Sequence, residues 1–209
     1  AHVLTLDQPH DEISILVSGA VETVDEGGHI LQECGGAVSP LTYLADTPLT
    51  QADEAILELP RRHLGRGGDR LHELRDLMLA ICDSVAHYLP EEEVILPAAR
   101  ALAQGRGASQ DHAHLFIACC RALGVPARYV SGYFGLAEDS DAAHHAWADA
   151  WIERYGWVSF DVTHRRLTGR EYCRLAVGRD YLDACPVRSA HRGDERKIVA
   201  VHVAAQQQQ

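Results

Sequence analysis

The sequence predicts an α+β fold, a buried helix packed on an antiparallel sheet, and three observations carry that prediction. A segment apolar nearly all round, Gln110 to Leu123, is bounded by Gly105 and Gly107 before it and by Gly124 and Pro126 after it. Strand-like runs rich in Trp, Tyr and Val follow: "ARYVSGYF", "HAWADAWI", "WVSFDV" and later "KIVAVHV". One helix succeeded by several closely spaced strands fits an antiparallel sheet better than alternating βαβ units.

The elements follow in order. In the first 48 residues "HVLTL" and "EISILVSGAVETV", separated by "DQPHD" and "DEGGH", read as strands and turns, so residues 1–48 are expected to form a partial N-terminal β region. Residues 49–209 are expected to form the core with a helical lead-in. From Thr50 to Ala101 the pattern is helical, with Leu71, Leu74, Met78, Ile81 and Val85 making one apolar stripe. Glu91 to Glu93 read as solvated surface, "EDSDAAHH" as a polar loop that delivers His145, and the closing "QQQQ" as a frayed tail. No internal repeat is apparent.

Composition narrows the function classes. The chain has 209 residues, 46% of them hydrophobic, enough for one substantial domain. A formal charge of −11, with no local basic patch, disfavours nucleic acid. No apolar run approaches the roughly 20 residues that span a bilayer, and "AHVLTLDQPH" lacks the regions of a signal peptide. The missing initiator Met implies a processed or shortened start. The six cysteines include no CxxC pair, which fits reduced thiols and a cytoplasmic location.

Three residues point to chemistry: Ser109 where a loop enters the apolar helix, His145 in "HAWADAWI" and Asp161 in "WVSFDV", spaced 36 and 16 residues apart. Alternation puts His145, Trp147 and Asp149 on one strand face, and Trp157, Ser159 and Asp161 on one face of the next. If Trp151 to Tyr155 form a five-residue loop with Ala150 opposite Gly156, His145 lies directly across from Asp161 on the same face; an odd register would separate them. In such a triad the carboxylate orients the imidazole, the imidazole exchanges protons with the nucleophile, and the helix start favours developing negative charge.

"GASQDHAHLFIACCRALGVPARYVSGY", "HAWADAW", "GWVSFDVTH" and "LAVGRDYLDACPVR" resemble the bacterial transglutaminase-like family, a branch of the papain-like cysteine-nucleophile superfamily. The resemblance runs from Leu71 to Val203. It implies a papain-like core, a Cys-His-Asp type site in which His145 and Asp161 match the catalytic pair, and attack on a peptide or glutamine-type carboxamide. The family usually carries a larger N-terminal β-domain, so only its later part is expected here. Ser109 falls on the cysteine position. An alcohol does not ionise as a thiol does, so activity is expected to be weak or absent. Three accounts of Ser109 stay open: deliberate replacement of a cysteine, a silent peptide-binding relative, or a true serine hydrolase.

Other residues have competing readings. The plain alternative for Ser109 is an ordinary helix N-cap, against which the His145 and Asp161 context favours a nucleophile position. Gln110, Tyr133 and Trp147 are weak candidates for the oxyanion site or substrate groove, with exposed helix start, buried strand and core aromatic as their plain alternatives. Cys119 and Cys120 lie well inside the buried helix and read as packing. Asp111, His112, His114, His144 and His145 offer zinc-type donors, but His112 and His114 point about 200° apart on a helix. No metal and no other cofactor is expected, although a metal-dependent hydrolase is a rival reading. His114 reads as a hydrogen-bonded core histidine, and the expected partner is a peptide or protein carboxamide, with no membrane.

Overall fold

The computed structural model describes residues 38–63, 69–89, 94–135 and 143–185, together with 29–31 and a few isolated positions nearer the N-terminus. Most of the 1–48 region, "KIVAVHV", Glu91 to Glu93 and most of "EDSDAAHH" lie outside the described residues.

The central helix, α4 (Ser109–Ala122), follows α1 (Glu54–His63), α2 (Arg70–Ser84) and α3 (Ala98–Gln104), all of which pack against it. Every α4 residue except Gln110 and Ala122 is buried, with Asp111, His112, His114 and Arg121 buried alongside the apolar residues. Gly124 ends it by taking a left-handed φ of 71°, which lets the Val125 N–H return to the Cys120 carbonyl. Arg121 then pins the last turn: its guanidinium donates to the carbonyls of Tyr43, Ala127 and Arg179 and to the Thr50 hydroxyl.

The expected helical stretch from Thr50 to Ala101 is three helices rather than one run. Leu74, Leu77, Met78 and Ile81 form the buried face of α2, but Val85 is already extended (φ −127°). The chain passes into β2 (Ala86–His87), which pairs in parallel with β3 (Arg106–Gly107). Pro97, ahead of α3, sits at a helix start, where its missing N–H has no partner to lose.

The main sheet has the order β1 (Ile30–Leu31), β6 (Gly156–Asp161), β5 (Ala143–Ile152), β4 (Ala127–Phe134), β8 (Tyr172–Gly178), with β7 (Arg166–Leu167) also on β6; every pairing is antiparallel. A four-residue α5 (Tyr181–Ala184) closes the described chain. Ala146, Ala148, Ala150 and Ile152 share the hydrophobic core with Val158 and Phe160, and Phe160 meets Phe116 of α4 at 5.0 Å between ring centres. By alternation the next residues, His145, Trp147 and Asp149, occupy the other face of β5.

The hairpin register differs from the sequence expectation. Ile152 pairs with Gly156, leaving a three-residue loop, because Tyr155 N–H turns back to the Ile152 carbonyl and Gly156 accepts φ 82°. Ala150 therefore faces Val158, not Gly156. The shift is two residues, so the face is preserved: Asp161 falls opposite Trp147, and His145 reaches it diagonally.

Candidate active site

Asp161 closes β6, and the chain turns immediately, with Arg165 N–H returning to the Val162 carbonyl and Arg165 itself at φ 58°. The turn folds His164 back over the carboxylate. Asp161 Oδ2 accepts from His145 Nε2 at 2.8 Å, His164 Nδ1 at 2.6 Å and the Tyr172 hydroxyl at 2.7 Å; Oδ1 accepts the His164 backbone N–H at 3.2 Å. Burial alone would push this carboxyl up, but hydrogen bonds from His145, His164 and Tyr172 outweigh it and hold the group well below the usual carboxylate range. Burial and the Asp161 charge push the Tyr172 phenol in the opposite direction, upward, so it remains a donor.

An ionised Asp161 fixes the tautomer of His145. Nε2 carries the hydrogen donated to the carboxylate, leaving Nδ1 as the ring nitrogen that can accept a proton. The imidazole is buried among rings: Phe134 at 5.6 Å, His164 at 4.8 Å and Trp147 at 6.3 Å between centres. Trp147 packs there because Gly132 has no side chain; a Cβ on it would lie 2.1 Å from the Cys173 carbonyl oxygen and 2.5 Å from Trp147.

Ser109 is the first residue of α4 and is buried, with Ala108 in the N-cap position. The N-cap reading of Ser109 is thus corrected. The helix start is instead bound by Asp111, whose Oδ2 accepts the Ala108 N–H at 2.9 Å, a contact seated against Gly107. One turn on from Ser109, His112 donates from Nε2 to the Val85 carbonyl at 2.9 Å, and its Nδ1 takes the Thr163 hydroxyl at 2.9 Å. Thr163 lies two residues beyond Asp161, so this bond ties the first turn of α4 to the Asp161 turn. Burial pushes His112 below its ordinary pKa and does the same for His87, whose ring stands 6.2 Å from that of His112.

The remaining candidates divide. Gln110 is half-buried in the first turn of α4. Tyr133 pairs with His144 and stands edge-on to it at 6.3 Å, while Gly132 pairs with His145; Tyr133 therefore lies on the face opposite His145. Trp147 is buried beneath His145 rather than lining an open groove, since its ring also meets Tyr172 edge-on at 5.4 Å. Cys119 and Cys120 are buried and their thiols are pushed well up by that burial, which makes them inert packing. His114 is a core histidine: its Nε2 accepts the Tyr181 N–H at 3.0 Å, and burial takes its pKa down to about 4. Of the donors suggested for zinc by the sequence, His145 alone belongs to the set that gathers among the described residues, His145, Asp161 and His164.

His164 and Tyr172 escape the sequence reading. Asp161 and His164 stand three apart, the spacing at which a turn returns a side chain to the residue before it, so His164 left a local signal. Tyr172 left none, because β8 reaches Asp161 only through the sheet order. A second buried carboxylate on the same face, Asp149, was also missed as a centre: Arg128 Nε bonds it at 2.9 Å, Arg174 Nη1 at 2.6 Å and the Ser159 hydroxyl at 2.7 Å.

Comparison with known proteins supports the fold. Residues 61–162 match the family described as the transglutaminase-like superfamily. An uncharacterised protein of Mycobacterium leprae is 28% identical over 211 residues, covering 90% of this chain and 71% of that protein. An uncharacterised Mycobacterium bovis protein is 33% identical over 159 residues, 69% of this chain and 48% of the relative. A solved structure from Cytophaga hutchinsonii, named "Putative Cysteine Protease", superposes with a TM-score of 0.58 at 28% identity, over 69% of this chain and 48% of that one. The chain thus spans about half the length of the last two proteins. The mixed α+β core, with a helix packed on an antiparallel sheet, is the fold this chain shares with the solved structure.

Proposed function

We propose, from the match of residues 61–162 to the transglutaminase-like superfamily, an acyl-transfer or amide-hydrolysing site of Cys-His-Asp type with Ser109 in the cysteine position. The observation that supports it most is the buried bond from His145 Nε2 to Asp161 Oδ2 at 2.8 Å, which leaves Nδ1 free to serve a nucleophile. With sulfur at position 109, the thiolate attacks a carboxamide carbon, the C–N bond breaks as His145 returns a proton to the leaving amine, and water or a second amine opens the thioester. The backbone N–H groups that start α4, with the Gln110 side chain as a further donor, would receive the oxyanion.

With Ser109 the same machinery is weak or silent, because a hydroxyl must surrender its proton during attack instead of beforehand. With Ser109 in place the chain then acts as a binder of peptide carboxamides in a cytoplasmic setting. Both readings meet one experiment, the pH dependence of alkylation of Ser109→Cys against the parent chain, whose six cysteines supply the background. The expected outcome is a new thiol that reacts as thiolate well below its free pKa of about 8.5. Adding His145→Ala should abolish that low-pH reactivity. A thiol that titrates near the free value would remove the catalytic reading and leave the binding one.

A further inference from the structure

Asp161 meets two imidazole nitrogens, and the proposed triad uses only one of them. We propose that His145 Nε2, Asp161 Oδ2 and His164 Nδ1 form a site for a borderline transition-metal dication of the Zn2+ type, and that its occupation withdraws His145 from proton transfer. The three ligand atoms lie within 4.8 Å of one another, and two imidazoles with one carboxylate are a donor set that zinc accepts with its fourth position left open.

The surroundings hold these donors as a metal site requires. Oδ1 of Asp161 takes the His164 backbone N–H, which aims Oδ2 at the two rings. His164 is stacked on Phe134 at 4.3 Å, and the Tyr172 hydroxyl holds Oδ2 from another strand. His145 and Asp161 are buried, whereas the His164 side chain is 36% exposed, so an ion has an approach from that side.

Binding requires a small and definable rearrangement. The ring hydrogens now donated to Oδ2 must leave: the His145 proton moves to Nδ1 and the His164 proton to Nε2, each ring remaining neutral. Nitrogen-to-oxygen separations of 2.8 and 2.6 Å must open. The target is about 3.3 Å, from ligands about 2.0–2.1 Å from a tetrahedral ion. Once the ion is bound, His145 Nδ1 bears the hydrogen and accepts none from a nucleophile. Metal binding does not depend on the proposed activity; the silencing of that activity does.

The test uses the chain as it stands, with Ser109. Titration with Co2+ is expected to give the intense visible bands of a tetrahedral ion at one equivalent, without thiolate charge-transfer absorption, and Zn2+ should displace it. His164→Ala, and independently His164→Gln, should weaken binding at least tenfold, while His72→Ala at an exposed site should not. Nitrogen-15 spectra of the imidazoles should show the His145 proton moving from Nε2 to Nδ1 on Zn2+ addition. Absence of tetrahedral cobalt, thiolate charge transfer, or binding untouched by both His164 variants overturns the site. If the metal binds but the Ser109→Cys thiol titrates as a free one, the proposed function fails and the metal site stands.

Discussion

Asp149 and Asp161 lie on the same face of one hairpin, both fully buried and both held ionised, yet their partners differ in kind. Asp149 is clamped by Arg128 and Arg174, side chains that stay charged at any pH the fold survives. Asp161 is clamped by His145, His164 and Tyr172, whose hydrogens can move. The first arrangement fixes geometry and does nothing else. The second fixes geometry while leaving a proton or an ion to be exchanged, which is what a site for chemistry needs.

Asparagine at each position sharpens the contrast most. Asp149→Asn leaves buried Arg128 and part-buried Arg174 without their counter-charge and is expected to cost about 3–5 kcal/mol, read from urea unfolding. Asp161→Asn keeps an acceptor among groups that can be neutral, so a smaller loss of about 1–2 kcal/mol is expected. In the Ser109→Cys background, however, it should remove the low-pH reactivity of the new thiol. Equal stability losses would mean that the two clamps are the same device.

Acid titration separates the buried groups further. The folded pKa of His114 is about 4, below its ordinary value, so the neutral form belongs to the fold. Its contribution is complete above the unfolded pKa of about 6.5 and is lost as pH falls from there towards 4, about 3 kcal/mol in all. Asp149 and Asp161, both depressed, contribute above the unfolded carboxylate value of about 4 and lose that contribution only below it. His114→Gln should therefore flatten the unfolding free energy between pH 6.5 and 4 while leaving the acid limb intact. An unchanged slope would place the proton uptake elsewhere.

The smallest effect concerns the start of α4. Ser109→Ala should shift stability by less than about 0.5 kcal/mol, because the residue is not the cap. Asp111→Ala should cost about 1 kcal/mol through the lost bond to Ala108. Thermal melts of the two variants decide it, and the reverse order would restore the cap to Ser109.

Much of this was legible because it is local. The Gly-bounded apolar run placed α4 to within a residue, and strand alternation put His145 and Asp161 on one face even though the hairpin loop proved shorter. Tyr133 went astray because direct strand pairing assigns it to His144's face, a fact that no single strand contains. Tyr172 and the Arg128–Asp149–Arg174 cluster depend on the order of strands in the sheet. Sequence spacing carries no record of that order. His164 was within reach, three residues from Asp161, but a histidine at a turn looks ordinary until its ring is seen on the carboxylate.

The burial of α4 on nearly every side has a consequence for motion. Its amides are expected to exchange with solvent only when the whole domain opens, since Arg121 ties its end to three other segments and its flanks are core. The stretch from Thr163 to Tyr172 is held to the rest of the molecule by the Thr163 hydroxyl on His112 and by the surface pair Arg165–Asp83, while Arg166 and Glu171 pair within it. Position 109 thus rides on the slowest part of the molecule, and the imidazole and phenol facing Asp161 ride on a faster one.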